Sequence, residues 1–186
     1  MRYLDPDIQS WLHNAAKESP GVWLIQAWRL RESAKRIDWV QVSAEEMLVT
    51  AFSSEYRLLI ALSVENLIKG ILIAEGIRAG NIDPIKGVLN HKLVPLAMKI
   101  QTLATPLSEE ELQVLDRLTE YIEWAGRYPF PKRVEEHNPV GYSSAEHDLE
   151  TKIWERLWNH LCDIGWVSKG HPDHEGWYWL LTRSDV

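Results

Sequence analysis

The stretch LLIALSVENLIKGILIAEG, residues 58–76, decides the fold of this chain. It is apolar almost all the way round a helix, and Glu65, Asn66 and Lys69 break the apolar run near its centre. A helix that is apolar on nearly every side is packed by other elements on several faces. The same three residues make a transmembrane span a poor interpretation. We therefore predict a long central helix inside a helical protein.

Three capping boxes mark where helices begin. Each pairs a serine with a glutamate three positions later: Ser43 with Glu46, Ser108 with Glu111, and Ser143 with Glu146. In such a box the serine hydroxyl accepts from a first-turn N–H and the glutamate reaches back to the cap. The first box begins the central helix, which we expect to run from Ser43 to about Glu75 and to end at Gly76.

Two further helices carry apolar stripes at helical spacing. Their members are Leu112, Leu115, Leu118 and Ile122 on one helix, and Leu149, Ile153, Leu157 and Leu161 on the other. Two helices also precede the central one, and strand signals are nearly absent. The predicted fold is all-α, a helical bundle of about five to six helices around a long central helix, with a short irregular C-terminal tail.

Composition limits the function classes. The formal net charge of −7 over 186 residues argues against broad nonspecific affinity for nucleic acid, although it leaves room for a local basic patch. The single cysteine, Cys162, excludes an intrachain disulfide and suits a reducing cytoplasm. The first residues lack the apolar core of a signal peptide. We expect a cytoplasmic protein with no cofactor and no membrane contact.

Three motifs, followed by a last helix, carry a family resemblance. The central helix contains E-x3-K at Glu65 and Lys69, N-H-x-L begins at Asn90 with His91, and R-Y-P begins at Arg127 after the third helix of the bundle. A final amphipathic helix follows. This arrangement resembles the HEPN superfamily, helical domains of prokaryotic defence and toxin–antitoxin systems. The resemblance covers residues 43–165, with a helical pair at 1–42 packed on the bundle and a tail at 166–186.

The resemblance also implies a candidate chemistry. Many HEPN proteins are metal-independent ribonucleases with an R-x4–6-H motif, usually completed across a homodimer. None of the seven histidines has an arginine at that spacing, since Arg133 lies four positions before His137 and Arg127 lies ten before it. Lys132 has the spacing but lacks the planar fork of guanidinium. HEPN relatives with R-Y-P and no such motif are regarded as noncatalytic binding partners.

Cations and aromatic rings alternate after the third helix. The residues that we predict to bind a ligand here are Arg127, Tyr128, Lys132 and Arg133. Such a mixture suits single-stranded RNA or a nucleotide, through phosphate contacts and base stacking. The alternative is structural, because a cation near a helix C-terminus is favourable without any ligand.

Each of the other candidate residues has both a structural and a functional interpretation. Glu65 and Lys69 form either a structural ion pair or part of a polar binding site, and His91 is a third candidate binding residue. The ten tryptophans either pack helices or provide an interface. The cluster from His171 to Glu175 is a short polar loop, from which we expect no specific metal site.

Three functions therefore remain. The first is a HEPN-like noncatalytic binding module, homodimeric, that contacts RNA, a nucleotide or a protein partner. The second is a degenerate metal-independent ribonuclease that uses Arg127, Lys132 and His137. The third is a structural helical protein whose tryptophan-rich faces mediate oligomerisation.

Overall fold

A computed structural model describes residues 19–38, 53–81, 84–125 and 144–164 of the chain. The N-terminal helix predicted before residue 19, the loop that contains the R-Y-P motif, and the C-terminal tail lie outside these residues.

The described residues fold into helices. Their bounds are α1 Pro20–Asp38, α2 Ser53–Arg78, α3 Leu93–Ala97, α4 Glu109–Glu120 and α5 Ser144–Asp163. A 3-10 turn, Pro84–Val88, precedes α3, and a π-helical turn, Tyr121–Ala125, continues α4. No strand occurs within the four described ranges. The prediction of an all-α fold is confirmed.

Helix α2 is the centre of the bundle. It packs against α1, α3, α4 and α5, and against both turns. Its second half is buried on nearly all sides, with Leu67, Ile68 and Ile71 fully removed from solvent. This follows from the apolar stretch that the sequence shows there, because only contacts on several faces remove such a helix from water. The prediction of a central helix is confirmed.

The C-terminal end of α2 differs from the prediction. The helix does not end at Gly76 but continues to Arg78, and Gly80 beyond it has a left-handed φ of 74°. The Gly80 N–H donates to Ile77 O at 3.0 Å, and the Asn81 N–H donates to Gly76 O at 2.9 Å. These two bonds are a Schellman motif, in which glycine accepts the left-handed conformation without a steric penalty. The predicted start at Ser43 lies outside the described residues.

A glycine in the middle of α2 allows three helices to meet. A Cβ atom at Gly70 would lie 2.9 Å from Leu161 Cδ2 of α5 and 3.1 Å from Trp23 Cβ of α1. Both distances are too short for an ordinary carbon contact, so a larger residue would push the helices apart. The missing side chain therefore sets how closely α1 and α5 approach the centre.

The capping box of α4 is confirmed. The Glu111 N–H donates to Ser108 Oγ at 3.2 Å, and the Ser108 N–H donates to Glu111 Oε2 at 2.7 Å. Ser143 lies outside the described residues. The short helix after the 3-10 turn begins at Leu93, with Asn90 Oδ1 accepting from the Lys92 N–H at 3.0 Å before it.

The predicted apolar stripes of α4 and α5 point to the core. Leu115 and Leu118 of α4 are buried, and so is Ile122 of the π-helical turn. On α5 the buried Trp154 stacks on Trp158 with ring centroids 4.9 Å apart, and the guanidinium of Arg31 lies 3.8 Å from the Trp154 ring. The Trp154 indole N–H donates to Ser63 Oγ at 2.7 Å, so its polar atom is satisfied inside the core. At this position tryptophan serves helix packing.

No helix in the described ranges is both long enough and apolar enough to cross a bilayer. In α2 the residues Glu65, Asn66 and Lys69 break the apolar stretch.

Candidate binding site

Three of the predicted site residues come together beside the middle of α2. Glu65 and Lys69 lie one turn apart, and Lys69 Nζ is 2.5 Å from Glu65 Oε1. The same oxygen accepts from His91 Nδ1 at 2.8 Å, from the segment before α3. Lys69 and His91, which lie more than twenty positions apart in the sequence, thus bind the same carboxylate oxygen of Glu65.

Burial differs sharply among these three side chains. Glu65 is 5% exposed and Lys69 is 8% exposed, whereas His91 is 59% exposed. A buried carboxylate requires a cation and hydrogen-bond donors, and Lys69 supplies the charge. Because the carboxylate only accepts, Nδ1 of His91 carries the proton, and Nε2 of a neutral ring is then the acceptor left for solvent or a ligand.

The backbone around His91 is held by α4. The Leu93 N–H donates to Thr119 Oγ1 at 3.1 Å, and the same hydroxyl donates to Leu115 O at 2.9 Å. Leu93 itself is fully buried. The residue types of the N-H-x-L motif therefore have separate physical roles: a turn at Asn90, an exposed imidazole at His91 and a core contact at Leu93.

A second polar cluster surrounds Arg57, two turns before Glu65 on α2. Arg57 is only 4% exposed, and its Nη1 donates to the hydroxyl of Tyr121 at 2.8 Å. Its Nη2 lies 3.0 Å from Glu146 Oε1 and 3.9 Å from Glu150 Oε1, on the first turns of α5. Arg117 of α4 also donates to Glu146 Oε1, at 2.8 Å.

The charge of Arg57 is secured by these partners. Burial by itself lowers the pKa of a guanidinium, but the hydrogen bond to Tyr121 and the two carboxylates outweigh burial and raise the pKa of Arg57. The ring of Tyr121 adds a cation–π contact, with the guanidinium carbon 5.1 Å from the ring centroid. The cluster is thus a buried ionic network that α2, α4 and α5 share.

Arg57 connects the two helical segments on either side of the R-Y-P motif. Tyr121 begins the π-helical turn that ends at Ala125, two positions before Arg127 in the sequence. Glu146 lies near the start of α5, which begins at Ser144. One side chain of the central helix therefore binds both flanks of the chain segment 126–143. A π-helical turn in such a place is a feature that frequently accompanies functional sites.

The remaining predicted site residues lie outside the described residues: Arg127, Tyr128, Lys132, Arg133 and His137. The structure thus brings together Glu65, Lys69 and His91, and their relation to the R-Y-P segment stays a prediction. The cluster from His171 to Glu175 is also outside. Among the residues that are described, no group of three or more side chains is arranged to hold a metal ion.

Sequence reasoning also missed the contacts that Arg156 and His160 of α5 make. Arg156 Nη1 donates to both carboxylate oxygens of Glu111, at 3.0 and 2.9 Å. One turn later, His160 Nε2 is 2.8 Å from Thr102 Oγ1, whose hydroxyl also bonds to Glu75 Oε1 at 2.6 Å. The only signal in the sequence was that the arginine and the histidine share one helical face.

Comparison with known proteins adds no relative: no protein-family model, curated protein or solved structure matches the chain. The functional argument therefore depends on the residues and their geometry.

Proposed function

We propose that the chain is a HEPN-like, noncatalytic binding module of a prokaryotic defence or toxin–antitoxin system, and that residues 127–133 contact single-stranded RNA. One observation carries the proposal: Arg57 of the central helix binds Tyr121 before this segment and Glu146 after it. A buried cation with partners on both flanks fixes where the basic-aromatic segment leaves and rejoins the bundle.

The composition of the segment supports RNA as the ligand. Three cations and the ring of Tyr128 lie within seven residues of a chain whose net charge is −7. Cations provide phosphate contacts, and an aromatic ring provides a face on which a base stacks. The exposed ring of His91, oriented by the buried Glu65, offers a further hydrogen-bonding group on the same protein.

The first test is RNA affinity measured by fluorescence anisotropy over a series of salt concentrations. Arg127→Ala should weaken binding and reduce the slope of log K against log salt by about one, because one phosphate contact is lost. Arg36→Ala is the matched control, since it removes an exposed arginine from α1. Equal effects of the two substitutions, or no binding by the wild type, would exclude this site.

The second test concerns the contacts that Arg57 makes with the two ends of the proposed RNA segment. Tyr121→Phe removes the hydroxyl that accepts from Arg57, and Ser33→Ala removes a hydroxyl that donates to Arg29 O at 2.9 Å within α1. Each deletes one hydrogen bond, worth about 1 kcal/mol in stability. Only the first changes the flank of the proposed RNA segment, so only Tyr121→Phe should weaken RNA binding. An equal loss of affinity in both variants would contradict the role given to Arg57.

Incubation of labelled RNA with the protein and EDTA separates the ribonuclease alternative. The proposal expects no cleavage by folded wild-type protein. Cleavage that His137→Ala abolishes would replace the binding module with a metal-independent nuclease.

A further inference from the structure

His91 is an exposed side chain whose orientation is fixed by a buried one. Its side chain is 59% exposed, whereas Glu65, whose Oε1 accepts from His91 Nδ1 at 2.8 Å, is 5% exposed. Glu65 has a counterion without His91, because Lys69 Nζ lies 2.5 Å from the same oxygen. The hydrogen bond therefore serves to orient a ring that would otherwise rotate in solvent.

The oriented ring presents one kind of group to a ligand. Because Nδ1 of His91 donates to the carboxylate, Nε2 of the neutral imidazole has a lone pair and accepts a hydrogen bond. An acceptor whose direction is fixed beforehand loses little conformational entropy when a donor binds to it. The group that binds to Nε2 is therefore a hydrogen-bond donor, an O–H or an N–H.

The chain on either side of His91 suits an anionic ligand. Lys92, the next residue, is exposed, and residues 84–108 contain no aspartate or glutamate, although the whole chain has a net charge of −7. The carboxylate that does contact His91 is buried and bound to Lys69. RNA combines negative charge with a hydrogen-bond donor at every nucleotide, because each has a phosphate and a 2′-hydroxyl.

A short series of contacts joins His91 to the helix that leads into the proposed RNA segment, residues 127–133. The Leu93 N–H, two residues after His91, donates to Thr119 Oγ1 of α4 at 3.1 Å. From Thr119 the helical chain continues to Ala125, about 9 Å at 1.5 Å per residue, and the proposed segment begins two positions later. A single-stranded RNA of several nucleotides is long enough to contact both places.

We infer that Nε2 of His91 accepts a hydrogen bond from a ribose 2′-hydroxyl, and that this contact makes the protein select RNA over DNA. The hydroxyl is the donor that the oriented acceptor requires, and DNA lacks it at every nucleotide. Because all four ribonucleotides have this hydroxyl, the contact adds affinity without reading sequence. The inference rests on the RNA binding of the proposed function and assigns the residue that recognises the sugar.

The test is the affinity of the full chain, measured by fluorescence anisotropy, for uridine oligonucleotides of about ten residues that differ only at the 2′ position. The three forms have a 2′-hydroxyl, a 2′-hydrogen or a 2′-fluorine, and the fluorine keeps the sugar conformation of RNA but cannot donate a hydrogen bond. Uracil is common to all three, so contacts with the base cancel. Wild-type protein should bind the hydroxyl form about fivefold more tightly than the other two, about 1 kcal/mol or one hydrogen bond.

Two substitutions separate the hydrogen bond from the ring. In both His91→Ala and His91→Phe, the affinity for the hydroxyl form should fall to that for the hydrogen form. Because His91→Phe keeps an aromatic ring, its loss of selectivity excludes stacking as the cause. Lys92→Ala is the neighbouring control, since it removes a cation and leaves the imidazole. It should weaken binding to all three forms by the same factor.

The outcomes distinguish this inference from the proposed function. His91 is exposed, so unchanged circular dichroism is expected for both variants and confirms that they fold. Equal binding of the three forms by wild-type protein, or a preference that persists in either His91 variant, would overturn the inference and leave the proposed function in place. Wild-type protein that binds none of the forms would overturn both.

Discussion

Replacement of Arg57 by methionine is the sharpest test of the buried network. Methionine fills much of the volume of arginine, so the change removes charge and hydrogen bonds more than packing. It leaves two carboxylates, Glu146 and Glu150, which are 8% and 2% exposed. Loss of one partner from a buried ion pair costs about 3–5 kcal/mol, because the other charge stays buried without compensation.

The neighbouring Arg117 decides where in this range we expect the loss of unfolding free energy to fall. Arg117 still donates to Glu146 Oε1 at 2.8 Å, so one carboxylate keeps a partner. We therefore expect Arg57→Met to lower the free energy of unfolding by about 3 kcal/mol, near the lower limit for a broken buried pair. Urea unfolding followed by circular dichroism at neutral pH measures this value.

A second protein separates the ionic effect from a packing effect. Arg57→Met combined with Glu146→Gln and Glu150→Gln removes the buried charges together with their counterion. This protein should regain at least half of the lost stability, because a neutral buried cluster avoids most of the cost of burying charge. A loss below about 1 kcal/mol in the single variant would show that the network contributes no more than an exposed pair does. An unchanged loss in the combined variant would assign the effect to packing.

Two further predictions concern α2 and α5. Burial lowers the pKa of His160 in the folded protein, although the charges of Glu75 and Asp163 oppose this shift. Just below pH 6.5, the ordinary pKa of histidine being about 6.5, the unfolded chain therefore binds more protons than the folded one. The free energy of unfolding should then rise with pH in this range. His160→Gln should flatten this part of the profile of unfolding free energy between about pH 5 and pH 7.5, and an unchanged slope would refute the assignment. Gly70→Ala should cost about 1–3 kcal/mol in thermal unfolding, because its Cβ meets Leu161 and Trp23. Gly87→Ala, where nothing lies within 4 Å of the added carbon, is the control, and equal losses would contradict the packing argument.

The sequence predicted features that depend on neighbours along the chain. The all-α class, the central helix, the apolar stripes and the capping box at Ser108 all follow from spacings of three or four residues. The end of α2 was predicted wrongly because glycine occurs both inside helices and after them. Gly76 lies within the helix, and only the left-handed backbone of Gly80 identifies the terminating residue.

Only part of the candidate site could be predicted from the sequence. The family resemblance selected Glu65, Lys69 and His91, and the structure joins them through one carboxylate oxygen. The partners of Arg57 were not predicted, since Tyr121 lies 64 positions away and a helical pattern indicates a face but not the side chain opposite it. Contacts between distant positions require the packing of α2, α4 and α5, which periodicity alone does not specify.

The position of Arg57 has a consequence for how this protein can change over evolution. Because one residue of the central helix binds the chain both before and after residues 126–143, the bundle supports both ends of that segment without using its sequence. Insertions into a chain segment between fixed ends cost little, since the entropy of closure grows only slowly with length. Under the proposed function, a change of RNA partner would then require exchange of this segment alone, while the helices at its two ends are inherited unchanged.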